Sequence, residues 1–322
     1  MPPEVVGVLV MAYGTPDGPE DILPYYTDIR RGRAPTPELL AELQSRYAAV
    51  GGYGRLTRIT RAQAEGIERL LNDGTGGADG AGGAPRYRAY VGMKHWRPTI
   101  ADAVRQMAAD GVRRAVAVVM APQGGKMSSG SYFEALDGAV AGLAQPIAVE
   151  RVGSWHLEPD FLAALTGRVE EALARFPGTS RESLPVVFTT HSLPERILTW
   201  QDPYPSQLRD IGQAVAARAG LANVHFAYQS DGRTADPWLG PDIRDSLKKL
   251  VEEGARSVLV CPVGFVADHL EVLYDLDIDL RRLAQQADIH FERTDSLNDH
   301  PLLLAALAAV VRRRVLEGGS QS

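Results

Sequence analysis

Two segments of the chain carry residue types that could do chemistry. In VVFTTHSLPE, His191 falls at the end of a β-branched run, where an imidazole can hold a cation or take a proton near neutral pH. Ser192 with Glu195 three residues on reads as a capping box, with Pro194 in the first turn of the next helix. That accounts for Ser192 and Glu195 and leaves His191 with two readings the segment alone does not separate: a hydrogen-bonded core histidine, or a ligand or base at a strand end. In CPVGFVADHLEVLYDLDIDL, a strand runs into a helix rich in acids. Asp268 with Glu271 again fits a capping box and suits the helix dipole. Glu271, Asp275 and Asp279 then recur at i, i+4 and i+8, on one helical face where like charges repel by roughly a few tenths of a kcal/mol per pair. A solvated face is the commoner source of such a stripe; a path for a cation is its rival, because this stripe grows directly out of an apolar strand. His269 is two residues from Glu271 and on a regular helix would face away, so His191 is the expected partner of Glu271.

A basic counterpart lies in TDIRRGRAP, with Arg30, Arg31 and Arg33, followed by Arg46 and Tyr47. Such a loop keeps a surface soluble, and its guanidinium forks also suit a polycarboxylate ligand. Tyr13, at the end of the first apolar run, reads by itself as a half-buried aromatic. Two glycine-rich stretches fail as nucleotide motifs. GTGGADGAGGA from Gly74 precedes a strand instead of following one, and QGGKM from Gln123 lacks the first spaced glycine and has Met127 after Lys126.

The elements that must position these residues follow from periodicity. Short β-branched runs alternate with amphipathic segments, the pattern of parallel strands joined by helical crossovers. Strands are expected at 5–11, 87–91, 115–120 and 147–152, and again at 186–190, 224–228, 258–262 and 289–292. Two similar α/β halves follow, residues 1–157 and 158–322, each an open sheet whose ligands belong beside the carboxyl ends of its strands, with a cleft between the halves as the natural site. A chain of 322 residues suits two such domains.

Composition removes other classes. With 45% hydrophobic and 23% charged residues the chain is globular in type, and a net charge of −6 offers no electrostatic footprint for nucleic acid. The single cysteine, Cys261, makes no internal disulfide and cannot hold an iron–sulfur cluster. The apolar runs are too short to span a bilayer and acidic Glu4 is unlike a signal peptide, so a cytoplasmic setting is expected.

Longer segments then resemble one family. MAYGTP from Met11, YYTDIRRGR from Tyr25, SRYAAVGG from Ser45, GMKHWRP from Gly92, HSLPE from His191, DPWLGPD from Asp236 and PVGFVADHLEVLYDLD from Pro262 are similar to ferrochelatases, in the same order over nearly the whole chain. The resemblance implies a chelatase-like α/β fold, two Rossmann-like domains with parallel sheets flanked by helices and a porphyrin cleft between them. It implies insertion of Fe²⁺ into a porphyrin in haem biosynthesis, with coproporphyrin III the expected acceptor. The alternatives are a protoporphyrin IX ferrochelatase, a cobalt or nickel chelatase of the same fold, and a carrier that binds porphyrin without inserting metal.

By the same resemblance, His191 and Glu271 are the metal-binding and catalytic pair. His191 is the general base, with a pKa near neutrality, and Asp275 lies behind Glu271 on the metal path. Tyr13 matches the tyrosine of the coproporphyrin branch, and Arg30, Arg46, Tyr47 and Tyr132 match positions at the substrate's propionates. Gly54 stands at a porphyrin-side position where relatives often have serine, and QGGK from Gln123 replaces a histidine-and-aromatic stretch. Iron is a substrate, so no cofactor is expected. The partners implied are the porphyrin and Fe²⁺, for a monomer making transient contacts with neighbouring haem-pathway enzymes.

Overall fold

Each expected β-branched run forms a strand, within two residues of its expected bounds. The computed structural model describes residues 4–73, 85–232 and 236–319; the run from Gly74 lies outside the described residues. In chain order the elements are β1 (Val5–Ala12), α1 (Ile22–Ile29), α2 (Pro37–Ala49), α3 (Arg55–Asn72), β2 (Arg86–Met93), α4 (Ile100–Ala109), β3 (Arg114–Val119), α5 (Ser129–Ala141), β4 (Ala148–Val152) and α6 (Pro159–Leu173). They continue with β5 (Val186–His191), α7 (Tyr204–Ala219), β6 (Val224–Gln229), α8 (Ile243–Glu252), β7 (Ser257–Cys261), α9 (Leu270–Tyr274), α10 (Arg281–Gln286), β8 (His290–Arg293) and α11 (Pro301–Gly319).

These elements form two units, Met1–Met120 with Ser129–Trp155 and Asn298–Ser322, and Ala121–Ser128 with His156–Leu297. The main change of unit falls beside the expected residue 157, but two segments change sides. Helix α11 joins the first unit because its Leu303, Leu304, Leu307 and Val311 are buried there, and Gln63 Nε2 donates to the Asn298 carbonyl at 2.6 Å. Residues 121–128 join the second, where Gln123 is buried among its hydrogen-bond partners.

In the first unit the parallel sheet has the order β2-β1-β3-β4, with Val8 opposite Ala89 on one side and Val116 on the other. Its central strand is almost wholly buried, which suits a run rich in valine and leucine covered on both faces. Thr99 starts α4 with a capping box closed by Asp102.

The second unit repeats the order as β6-β5-β7-β8, again parallel, with Phe188 opposite both Phe226 and Cys261. One face of its sheet is covered by α8 and by the segment from α9 to α10. Val272, Leu276, Leu280 and Ala284 of that segment are buried against Val258, Val260 and Phe291, each of the larger side chains contributing about 1.5–3 kcal/mol by its burial. The segment is not one regular helix: Asp275–Leu280 forms a π-helical turn between α9 and α10, an i→i+5 arrangement that breaks the α-helical ladder.

Neither expected capping box in this unit forms. Ser192 Oγ instead donates to the Leu239 carbonyl at 2.8 Å, and Pro194 precedes a 3₁₀ turn over Glu195–Trp200. Asp268 faces Arg293, and α9 starts after His269 with no side-chain cap. In both places a long-range partner has taken the side chain that local spacing assigned to a helix end.

Candidate functional site

In each sheet the chain leaves the first strand toward a neighbour on one side and returns to a strand on the other. The carboxyl end of that first strand is a topological switch point, where open α/β sheets bind ligands. His191 closes β5 at the switch point of the second unit, and Tyr13 follows β1 at that of the first.

The two threonines before His191 point to opposite faces of the sheet. Thr189 Oγ1 donates to Gln229 Oε1 at 2.8 Å, and Gln229 Nε2 donates to the Glu271 carbonyl at 3.4 Å. On the other face, Thr190 Oγ1 donates to Gln123 Oε1 at 2.8 Å and lies 2.8 Å from the phenol of Tyr204, which donates to the His191 carbonyl at 3.0 Å. Thr190 is hemmed in from the β7 side as well, since a Cβ at Gly264 would come 1.9 Å from its Oγ1. Buried networks with every member bonded hold one geometry, and this one fixes the backbone at both His191 and Glu271.

His191 Nδ1 bonds the Ser192 carbonyl, which makes it the protonated nitrogen and turns Nε2 outward. Nε2 lies 3.4 Å from Glu271 Oε1, and the other carboxylate oxygen lies 3.5 Å from His269 Nε2. His269 Nδ1 in turn donates to the Ala267 carbonyl at 2.8 Å. Burial by itself lowers an imidazole's pKa, but the charge and hydrogen bond of Glu271, with Asp275 behind it, outweigh burial and push His191 up to about 9. Burial would raise the Glu271 carboxyl; His191 and His269 hold it well below the usual carboxylate range. The pair is therefore an imidazolium–carboxylate at neutral pH, which corrects the expectation of a neutral His191. The expectation that His269 faces away from Glu271 is corrected too. His269 has extended backbone, φ −150° and ψ 179°, so helical spacing does not apply to it.

The three acids of the stripe have separate partners. Glu271 meets the two histidines, Asp275 accepts from Ser230 Oγ, and Asp279 pairs with Arg282 at 3.0 Å. Among the described residues no group of three or more His, Cys, Asp or Glu stands close enough together to hold a metal ion.

The remaining expected residues lie in the first unit. Tyr13 is 37% exposed with its ring 4.6 Å from that of His95, centroid to centroid. Arg30 follows α1, its guanidinium over the Tyr26 ring and its Nε buried with no hydrogen-bond partner among the described residues. Arg46 pairs with Glu42 at 2.9 Å. Tyr47 is 4% exposed, stacked on Tyr53, with its phenol 3.2 Å from Thr15 Oγ1. Tyr132 has Lys94 Nζ 5.1 Å from its ring centroid. Gly54 precedes α3 with φ +68°, a left-handed conformation that a serine would adopt only with strain. Residues 123–126, noted in the sequence only as a departure, belong to the support of His191: besides the Gln123 contacts, Lys126 N donates to Asp202 at 2.7 Å.

The ferrochelatase family profile matches residues 5–315. The chain belongs to the ferrochelatase family. It is 40% identical over 304 residues to the ferrochelatase of Herpetosiphon aurantiacus, covering 94% of this chain and 97% of that protein. It is 41% identical to the coproporphyrin III ferrochelatase of a Geobacillus species, covering 96% and 98%. The fold is also that of SirB from Bacillus subtilis, solved with Fe³⁺, at a TM-score of 0.61, 11% identity and coverage of 99% and 98%. This ferrochelatase is thus a metal chelatase of haem biosynthesis with iron and a porphyrin as substrates, and no helix among its described residues is long and apolar enough to cross a membrane.

Sequence reasoning did not find His269, Gln229, Tyr204, Thr190 or Arg293. The signal available for three of them was position: Thr190 adjoins His191, His269 lies beside Glu271, and Gln229 ends the strand paired with β5. Nothing local marks Tyr204 or Arg293.

Proposed function

We propose that this ferrochelatase inserts Fe²⁺ into coproporphyrin III, with His191 and Glu271 meeting the ion and the porphyrin's inner face. Asp275 lines the way behind them, and Tyr13, Arg30, Arg46 and Tyr132 lie on the porphyrin side, where Gly54 brings backbone close. The observation that carries the substrate reading is Arg30, whose Nε is sheltered from water with no acceptor among the described residues. A buried guanidinium N–H without an acceptor is costly, and a carboxylate is its best partner. Coproporphyrin III carries four propionates against two in protoporphyrin IX, so it makes fuller use of such donors. The Geobacillus relative, a coproporphyrin III ferrochelatase, supports the same choice.

Insertion releases two pyrrole protons. With Nδ1–H held on the Ser192 carbonyl, Nε2 of His191 is the nitrogen able to accept one. Nε2 is itself protonated while Glu271 is its neighbour. When Fe²⁺ takes that carboxylate, the imidazolium loses the anion that raised its pKa and gives its Nε2 proton to water; the neutral imidazole then accepts one pyrrole proton and the other pyrrole proton leaves to water. An imidazole and a carboxylate grip Fe²⁺ less tightly than thiolates, which suits an ion that must move on. Iron is handled as substrate and no resident cofactor is invoked. The lone buried thiol of Cys261 fits a reducing cytoplasm, and a monomer touching neighbouring pathway enzymes only in passing suffices for this chemistry.

The test is anaerobic insertion of Fe²⁺ with coproporphyrin III and protoporphyrin IX in parallel. We expect kcat/KM to favour coproporphyrin III by at least about tenfold, the equivalent of one lost charge-assisted bond. Equal or better kcat/KM with protoporphyrin IX would overturn the substrate assignment.

A further inference from the structure

The segment carrying His269, Glu271 and Asp275 is held at both ends by one guanidinium. Arg293, the last residue of β8, is 9% exposed. Its Nε and Nη2 donate to the two carboxylate oxygens of Asp277 at 2.6 and 2.7 Å, its Nη1 donates to the Thr294 carbonyl at 2.9 Å, and its Nη2 lies 3.8 Å from Asp268. Asp268 directly precedes His269, and Asp277 lies in the π-helical turn that follows α9. Between these two anchors the segment presents Glu271 to His191 on one side and buries Val272 and Leu276 on the other.

A buried, bidentate ion pair is a poor way to gain stability, because desolvation consumes most of the attraction and apolar replacements of similar volume often do as well. What the pair supplies is direction. The planar fork sets both position and angle of Asp277, and the same guanidinium reaches the start of the segment. Apolar packing of Val272 and Leu276 alone would hold the segment against the sheet while leaving it free to slide or turn. We propose that Arg293 is a positioning residue for iron insertion: through Asp277 and Asp268 it fixes the segment so that the Glu271 carboxylate stays within reach of His191 Nε2. This rests on the assignment of His191 and Glu271 to the ion.

The experiment uses the full chain and compares Arg293→Met, the double variant Arg293→Met with Asp277→Leu, Arg293→Lys and Glu271→Gln. Each is assayed for Fe²⁺ insertion with varied iron and varied coproporphyrin III, for porphyrin binding by quenching of intrinsic fluorescence, and for thermal unfolding. The double variant removes the guanidinium together with the carboxylate it grips most closely and leaves Asp268, only 3.8 Å from it, so its Tm is expected to return toward the parent's even if Arg293→Met is too unstable to assay. Its KM for Fe²⁺ should stay raised by about tenfold or more while porphyrin binding is unchanged, as a misplaced ligand predicts. Arg293→Lys should fall between, keeping the charge without the fork. A double variant with both Tm and iron KM of the parent overturns the positioning role and leaves Arg293 a structural residue. Glu271→Gln separates the two assignments. If it inserts iron normally, the reading of the site itself fails; if it is inactive while the double variant is normal, only the role of Arg293 fails.

Discussion

The two units run through the same strand order, β2-β1-β3-β4 and β6-β5-β7-β8, and place different chemistry at the same topological point. At the end of β1 stands Tyr13, a phenol 37% exposed beside His95. At the end of β5 stands His191, part of an ion pair whose partner, Glu271, comes from a segment far along the chain. Behind β5 lies a buried polar network of Thr189, Thr190, Gln123, Tyr204 and Gln229. Behind β1 the side chains are aliphatic, with Val8, Leu9, Val10 and Met11 fully buried. A shared topology thus decides where a ligand can sit, and the residues at the strand end and behind it decide what happens to it. A charged pair that must keep its geometry has the costlier, polar support; a neutral aromatic face does not need one.

If the second unit carries the chemistry and the first the recognition, changing either strand end should fail differently. The largest effect is expected from His191→Ala and Glu271→Gln, which should lower iron insertion by about 10²–10⁴-fold while coproporphyrin III still quenches intrinsic fluorescence. Near-normal turnover in either purified variant removes that residue from the mechanism and erases the contrast.

Next in size is Gly264→Ala. Its Cβ would fall 1.9 Å from Thr190 Oγ1 and 2.8 Å from Gln123 Oε1, so the network behind His191 must move. Overpacking of this kind costs about 1–3 kcal/mol, a Tm lower by roughly 2–12 °C, and insertion should fall along with it. Unchanged Tm and activity would mean that the polar support is dispensable.

The pH dependence of stability sharpens the comparison further, because Glu271 raises His191 at the second unit's switch point, whereas burial lowers His95, which pairs with Asp28 beside Tyr13 at the first. His191 is raised from 6.5 to about 9, so its contribution is whole below about 6.5 and is lost as pH rises through 9. Glu271 is lowered from 4.5, so its contribution is present above about 4.5 and is lost as pH falls below that. The pair therefore stabilises most near pH 4.5–6.5 and least above 9. Both side chains keep about a third of their surface exposed, 31% and 35%, so solvent screens the pair and the effect on Tm should be no more than about 2–4 °C. The Tm gap between parent and His191→Ala, followed across pH 5 to 10, should narrow at the alkaline end; a constant gap contradicts the ion pair.

The smallest effect on stability belongs to Tyr13→Phe, which removes a part-exposed hydroxyl and should shift stability within about 0.5 kcal/mol. If Tyr13 reaches the inserted iron, the visible spectrum of bound iron coproporphyrin will change. An unchanged spectrum would place Tyr13 away from the product's metal and leave the first unit with contacts to the porphyrin's edge alone.

All eight strands were legible because burial of a parallel strand on both faces demands a β-branched, apolar run, and that demand is local. The pairing of His191 with Glu271 was legible because the expected helix start explained the residues after His191 and not His191 itself, and because Glu271 opens the i, i+4, i+8 repeat of acids; the two stand 3.4 Å apart. The sequence by itself thus determined the strands, the helices between them and the residue types at the strand ends. It did not determine which unit α11 joins, since an apolar helix records that it is buried and not what buries it. It misplaced His269, whose extended backbone defeats a helical count, and it assigned Asp268 to a cap when Arg293, 25 positions away, had the stronger claim. It also made His191 neutral, whereas the nearness of Glu271 makes it a cation. Only the tertiary structure decided these points, because a side chain's partner and protonation depend on distances between segments that folding brings together, and no local period encodes them.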